Sequence, residues 1–128
     1  MRILTKHEEW LGKQIVNIAF QIHKSLGPGL LEKVYETCFC YELSKQELPF
    51  VSQKKVPIIY DNLQIQEGLR LDILVDDLVI VELKAQENYH PVGEAQLLSY
   101  HKLTQKRLGY ILNFHVPLKK NGIKRRII

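Results

Sequence analysis

LRLDILVDDLVIVELKA, running from Leu69 to Ala85, is the stretch on which the fold turns. Leucine, isoleucine and valine dominate both halves, as in a pair of buried strands, and Asp76-Asp77 supplies turn chemistry between them. Yet Asp72, Glu82 and Lys84 stand inside the apolar runs, where an uncompensated ionised group costs several kcal/mol. Side chains alternate along a strand, so Glu82 and Lys84 share one face while Val81, Leu83 and Ala85 share the other. Asp72 shares its face with Arg70 and Leu74. Whether Asp72 meets Glu82 depends on the turn. A two-residue loop pairing Val75 with Leu78 sets the acids on opposite sides. A three-residue loop over 76–78 pairs Val75 with Val79 and brings Asp72 opposite Glu82. A shared site therefore requires an odd loop length.

If the acids converge, they repel, and at least one pKa rises unless a cation lies between them. Hard oxygen ligands at that density suit Mg2+, which accepts one or two carboxylates and keeps waters for substrate phosphates. Lys84 points to the same place, where an ammonium can hold a water and stabilise charge growing on a phosphoryl group. Metal, carboxylates and lysine together are the parts of a phosphodiester hydrolase. Two plainer readings compete: a solvated Glu-x-Lys outer face, and a self-contained salt-bridge cluster. Gln96 and Tyr100 shift the balance toward a site. They lie one helical turn apart on the next helix, at a distance from the strand that suits a crossover.

Upstream, Thr5 and Glu8 form a Thr-x-x-Glu capping box, and Leu11, Ile15, Ile18, Ala19, Ile22 and Leu26 recur at helical spacing. GPG at 27–29 ends that helix, Gly27 suiting the left-handed position after it. A second helix is predicted over 30–45, with Leu31, Val34, Tyr35 and Cys38 on its apolar stripe. Glu32 falls in its first turn, where the helix dipole favours an anion. Strands follow over 50–60 and 63–75, joined by Asp61-Asn62, with Gly68 as a bend or bulge. A third strand covers 79–85, a helix runs from Pro91 to about Lys106, and a last strand covers 109–114. The order α-α-β-β-β-α-β predicts a single α+β domain over 1–128, one sheet flanked by helices.

The 128 residues are 45% hydrophobic and 25% charged, the balance of a globular protein and not of a disordered one. No apolar run approaches the roughly 20 residues that span a bilayer, and MRILTKHEEW lacks the features of a signal peptide. The expectation is a cytoplasmic protein with no membrane partner. Cys38 and Cys40 point in different directions on a helix, which favours reduced thiols, and Cys-x-Cys falls short of a zinc site. The net charge of +4 favours a polyanionic partner only mildly. Lys54 and Lys55, and the C-terminal Lys119, Lys120, Lys124, Arg125 and Arg126, read either as solvated charge or as phosphate contacts. His7, His23, His90, His101 and His115 lack metal-ligand spacing, and Ser52 and Ser99 lack a nucleophile elbow. GPG is too short for a phosphate-binding loop, and Tyr35 and Tyr41 read as core side chains.

Leu71-Asp72, nine residues, then Glu82-Leu83-Lys84 resembles the signature of the PD-(D/E)XK nuclease superfamily. The order of elements resembles its common core. GLLEKVY at 29–35 resembles the Gly-x-x-Glu-x-x-Tyr motif of the small GxxExxY proteins, and the likeness extends through AQLLSYHKLTQKRLGYILNF. Leu71 stands where the superfamily motif has proline. The resemblance implies a restriction-endonuclease-like mixed sheet with Asp72 and Glu82 as metal ligands and the Leu83 carbonyl as a third. Lys84 then positions or activates the attacking water. Glu32 completes the site directly or through water, and Gln96 supports it. Implied with these are Mg2+, with Mn2+ as a substitute, and a nucleic-acid substrate, DNA ahead of RNA. Lys54, Lys55, Arg70, Tyr100 and the basic C-terminal end become candidates to contact the nucleic acid. Many nucleases of this fold act as homodimers, although no stripe here marks such an interface. The alternatives are a non-catalytic nucleic-acid- or partner-binding module that keeps the fold, and a structural protein whose acids form a salt-bridge network.

Overall fold

The computed structural model describes residues 3–87 and 91–127, the Lys120 side chain excepted. His90 and the Lys120 side chain lie outside the described residues. The capping box forms as spaced: Glu8 N–H donates to Thr5 Oγ1 at 3.0 Å, and Thr5 N–H donates to Glu8 Oε1 at 2.8 Å. It starts α1 (Lys6–Leu26), whose buried stripe includes Leu11, Ile15, Ile18, Ala19 and Ile22. Gly27 closes the helix with φ 67° and ψ −173°, a combination open essentially to glycine alone.

The second helix, α2 (Glu32–Lys45), buries Tyr35, Phe39 and Leu43. The predicted stripe is out of phase with this: Leu31 is 77% and Val34 38% exposed. Tyr35 sets the phase. Its ring stacks on Phe114 with centroids 4.5 Å apart, and its hydroxyl donates to the Gly27 carbonyl at 2.6 Å. With Tyr35 turned inward, Leu31 and Val34 face solvent.

Strands β1 (Phe50–Tyr60) and β2 (Leu63–Val75) form a long antiparallel hairpin around Asp61, which takes φ 55°. Val56 faces Leu69 but Ile58 faces Ile65, so residue 57 on β1 stands against 66–68 on β2. Gly68 lies in that bulge, where a Cβ would come 2.2 Å from the Ile58 side chain. The chain continues through β3 (Val79–Lys84), α3 (Pro91–Thr104), β4 (Leu108–Asn113) and β5 (Ile123–Ile127). The five strands stand in sequence order, and only the pair β3–β4 is parallel, joined by the α3 crossover.

The strand β5 is the element the sequence hides. IKRRI offers two isoleucines around three cations, and such charge suits a sheet edge that must not pair further. Arg125 donates to Tyr110 Oη at 3.3 Å and pairs with Glu9 of α1 at 3.2 Å, while Arg126 pairs with Glu94 of α3. Within the basic C-terminal end, Lys124, Arg125 and Arg126 therefore lie on an edge strand, whose two arginines are tied to α1 and to the helix that follows β3.

Alternation along β3 sorts the core into two layers. Val79, Val81 and Leu83 pack with α1 and α2, whereas Ile80 packs with Leu97 and Tyr100 of α3. Glu82 and Lys84 follow Ile80 onto the α3 face. Among the described residues no helix is long and apolar enough to cross a membrane.

Candidate active site

The pairs joining β2 to β3 are Val75–Val79, Leu74–Ile80 and Ile73–Val81. The connection is the three-residue one: Asp76 and Asp77 take φ 51° and 57°, and Leu78 N–H donates to the Val75 carbonyl at 2.9 Å. One more step brings Asp72 opposite Glu82, and there the ladder gives out. Beyond it β2 continues with β1, and β3 continues with β4 through Lys84. Gln53 of β1, in register with Asp72, takes φ 53°. Leu71 and Leu74 both pack with the α3-side cluster, so the alternation of β2 also breaks here.

The acids take up the N–H groups that the parting strands leave over. Leu83 N–H donates to Asp72 Oδ2 at 2.9 Å, and Asp72 N–H to Glu82 Oε1 at 3.4 Å. Glu82 is 4% exposed and Asp72 half-buried. Burial first, then the hydrogen-bonded and charged Asp72 carboxyl, push Glu82 up to about 10, with the Lys84 amine opposing. With protein alone around it, Glu82 keeps its proton at neutral pH.

Tyr100 forms a wall of this fork. It is 6% exposed, packed with Leu74, Ile80 and Leu97. Burial and then the charges of Glu82 and Asp72 push its hydroxyl up to about 12, with Arg70 opposing. Tyr100, expected as a nucleic-acid contact, is thus a largely buried side chain within reach of the acids' charge. Gln96, one turn earlier, is exposed, and its side chain makes no hydrogen bond among the described residues. Lys84 is half-buried on the face of Glu82, and its amine forms no ion pair among the described residues.

Glu32 does not join the acid pair. It is exposed, and its Oε2 accepts from Ala85 N–H at 3.4 Å. Because α2 packs on the opposite face of the sheet, Glu32 reaches the end of β3 from the other side. Among the described residues no three His, Cys, Asp or Glu side chains gather into a group able to hold a metal. The Leu83 side chain lies in the α1–α2 core while its backbone N–H enters the fork. Lys54 and Arg70 are exposed along the hairpin, and Lys55, in register with Arg70, pairs with Glu67 at 2.7 Å.

Asn113 is a site residue that motif reasoning passes over. It ends β4 beside Lys84, and its amide brackets Gln86, accepting from Gln86 N–H at 3.1 Å and donating to its carbonyl at 3.0 Å. Phe114 N–H donates to the Lys84 carbonyl at 2.9 Å. Together they fix the path of the chain leaving Lys84. The signal lies in GYILNF, where an amide closes an otherwise apolar strand.

A family model described as the PD-(D/E)XK nuclease superfamily matches residues 9–126. No curated protein and no solved structure matches the chain significantly. Members of the superfamily generally use divalent metal ions. With the match running from α1 to β5, and the sheet and helices arranged as above, the chain belongs to the PD-(D/E)XK nuclease superfamily.

Proposed function

We propose that this chain is a Mg2+-dependent nuclease that hydrolyses phosphodiester bonds of nucleic acid, with DNA ahead of RNA. The observation that carries the reading is the fork: a carboxyl only 4% exposed, beside a second one, with an amine two residues along the same face. A buried carboxyl that keeps its proton beside a second carboxyl forms a donor set that a hard divalent cation satisfies by replacing that proton. Asp72, Glu82 and the Leu83 carbonyl would hold Mg2+, or Mn2+ in its stead, with Glu32 contributing through water from the end of β3. Such an ion supplies a lowered water pKa and balances charge on the phosphoryl group.

Lys84 orients the attacking water and stabilises the charge that grows on the phosphoryl oxygens. Tyr100 packs against the sheet within reach of the acids' charge, and Gln96, exposed one turn earlier on α3, offers an amide in support of the site. Lys54, Lys55 and Arg70 hold the backbone through sequence-independent contacts that weaken with salt. Placement among the GxxExxY proteins rests on Gly29, Glu32 and Tyr35. Tyr35 anchors the GPG turn that precedes Glu32.

The test is cleavage of single-stranded, duplex and branched DNA and RNA with Mg2+, Mn2+ or EDTA. Metal-dependent product that falls about 100-fold or more in Lys84→Ala supports the mechanism. Equal activity of wild type and Lys84→Ala removes it. One observation favours a second reading, a non-catalytic nucleic-acid-binding module: Glu32 stands off the acid pair. That reading predicts binding indifferent to Mg2+ and no product from any substrate.

A further inference from the structure

Beside Lys84 the α3 face carries a cleft of about 380 Å3, within the range of small-molecule sites. Lys84 and Lys124 line it, Ile111 and Val116 give it an apolar surface, and Asn121 contributes an exposed amide. Asn113 also borders it, but that amide is engaged with Gln86 and shapes the cleft without reading a ligand. Of the two acids at its margin, Glu94 is paired with Arg126, and Glu87 is exposed.

Gly93, in the first turn of α3, keeps this space open. Its φ is not positive, and a Cβ there would meet nothing nearer than Ile111 Cδ1 at 4.0 Å. Neither backbone geometry nor close packing requires glycine at a position where it weakens the helix relative to alanine. What the missing side chain provides is room.

Resting on the nuclease reading above, we infer that the cleft takes one unpaired nucleotide of the strand being cut, so that the protein favours single strands and overhangs over fully paired duplex. An apolar surface with an amide at its rim suits a nucleobase whose Watson–Crick edge is free, and that edge is free only when the base is unpaired. The Lys84 amine suits the adjoining phosphate. Lys84 lies two residues, about 6.6 Å, along the strand from Glu82. A nucleotide in the cleft therefore adjoins the phosphate at the fork.

Wild type, Gly93→Leu and Asn121→Ala are compared, in Mg2+, on a labelled duplex with an unpaired overhang and on the same duplex fully paired. Wild type should prefer the unpaired substrate about tenfold or more, and Gly93→Leu should abolish most of that ratio. Circular dichroism reports whether each variant is folded; should Gly93→Leu unfold, Asn121→Ala on another part of the lining carries the same test. An unchanged ratio in folded variants, or a wild-type preference for paired ends, overturns the inference and leaves the nuclease reading standing. If no substrate is cut, the nuclease reading fails, and fluorescence anisotropy still decides the cleft. Single-strand binding at least about tenfold tighter than duplex binding, lost in Gly93→Leu, supports it, and equal binding overturns it.

Discussion

Asp72 and Glu82 face each other where β2 leaves β3, one half-buried and the other 4% exposed. The arrangement has a measurable cost for the metal-free protein. Glu82 titrates near 10 in the folded chain against an ordinary 4.5. Between these values the unfolded chain releases a proton that the folded chain keeps. Stability in EDTA therefore falls as pH rises from about 5 toward about 10. Chemical denaturation across that window should show the decline. Glu82→Gln should flatten it and raise stability at neutral pH by about 1–3 kcal/mol. A wild type whose stability does not vary over the window contradicts the buried acid pair.

The Tyr35 hydroxyl donates to the Gly27 carbonyl at 2.6 Å and accepts from Leu30 N–H at 3.2 Å, closing the turn that delivers Glu32. Tyr35→Phe keeps the stack on Phe114 and removes only these bonds. Urea denaturation should show a loss of about 1–2 kcal/mol with an unchanged m-value. No loss would mean that the turn holds itself.

Two glycines on the α3 side should respond in opposite directions. At Gly109 a Cβ would come 2.7 Å from His101 Nε2 and 2.9 Å from Leu97 Cδ1, so α3 seats on β4 only because that side chain is missing. Gly109→Ala should destabilise by about 1–3 kcal/mol. Gly93→Ala, with open space at that position, should be neutral or stabilise by up to about 1 kcal/mol. Thermal melts of the two variants decide between these outcomes.

The acid fork was legible because strand alternation and loop parity are short-range rules. That Asp72 and Glu82 meet only across an odd turn follows from counting along one segment, while the structure supplies the parity itself; the capping box at Thr5 and the bulge at Gly68 are equally local. What was hidden depends on partners far away in sequence. Leu31 and Val34 read as core because their spacing is helical, yet the phase of α2 is set by Phe114, which Tyr35 meets only after folding. IKRRI reads as solvated charge or phosphate contacts because its cations outnumber its apolar residues, and only its pairing with β4, with Glu9 and Glu94 on separate helices taking up two of the arginines, shows it as an edge strand. Glu32 lies in the first turn of its helix as expected, but which side of the sheet that helix covers is a tertiary fact.

Metal binding at the fork is the central claim, and titration calorimetry of the metal-free protein with Mg2+ and Mn2+ tests it most directly. The expected result is one site, lost in Asp72→Asn and Glu82→Gln and kept in Lys84→Ala. About one proton should be released per ion at neutral pH as Glu82 gives up its hydrogen, read from the dependence of the heat on buffer ionisation. No saturable heat at millimolar metal, or binding that survives loss of both carboxylates, would contradict the account.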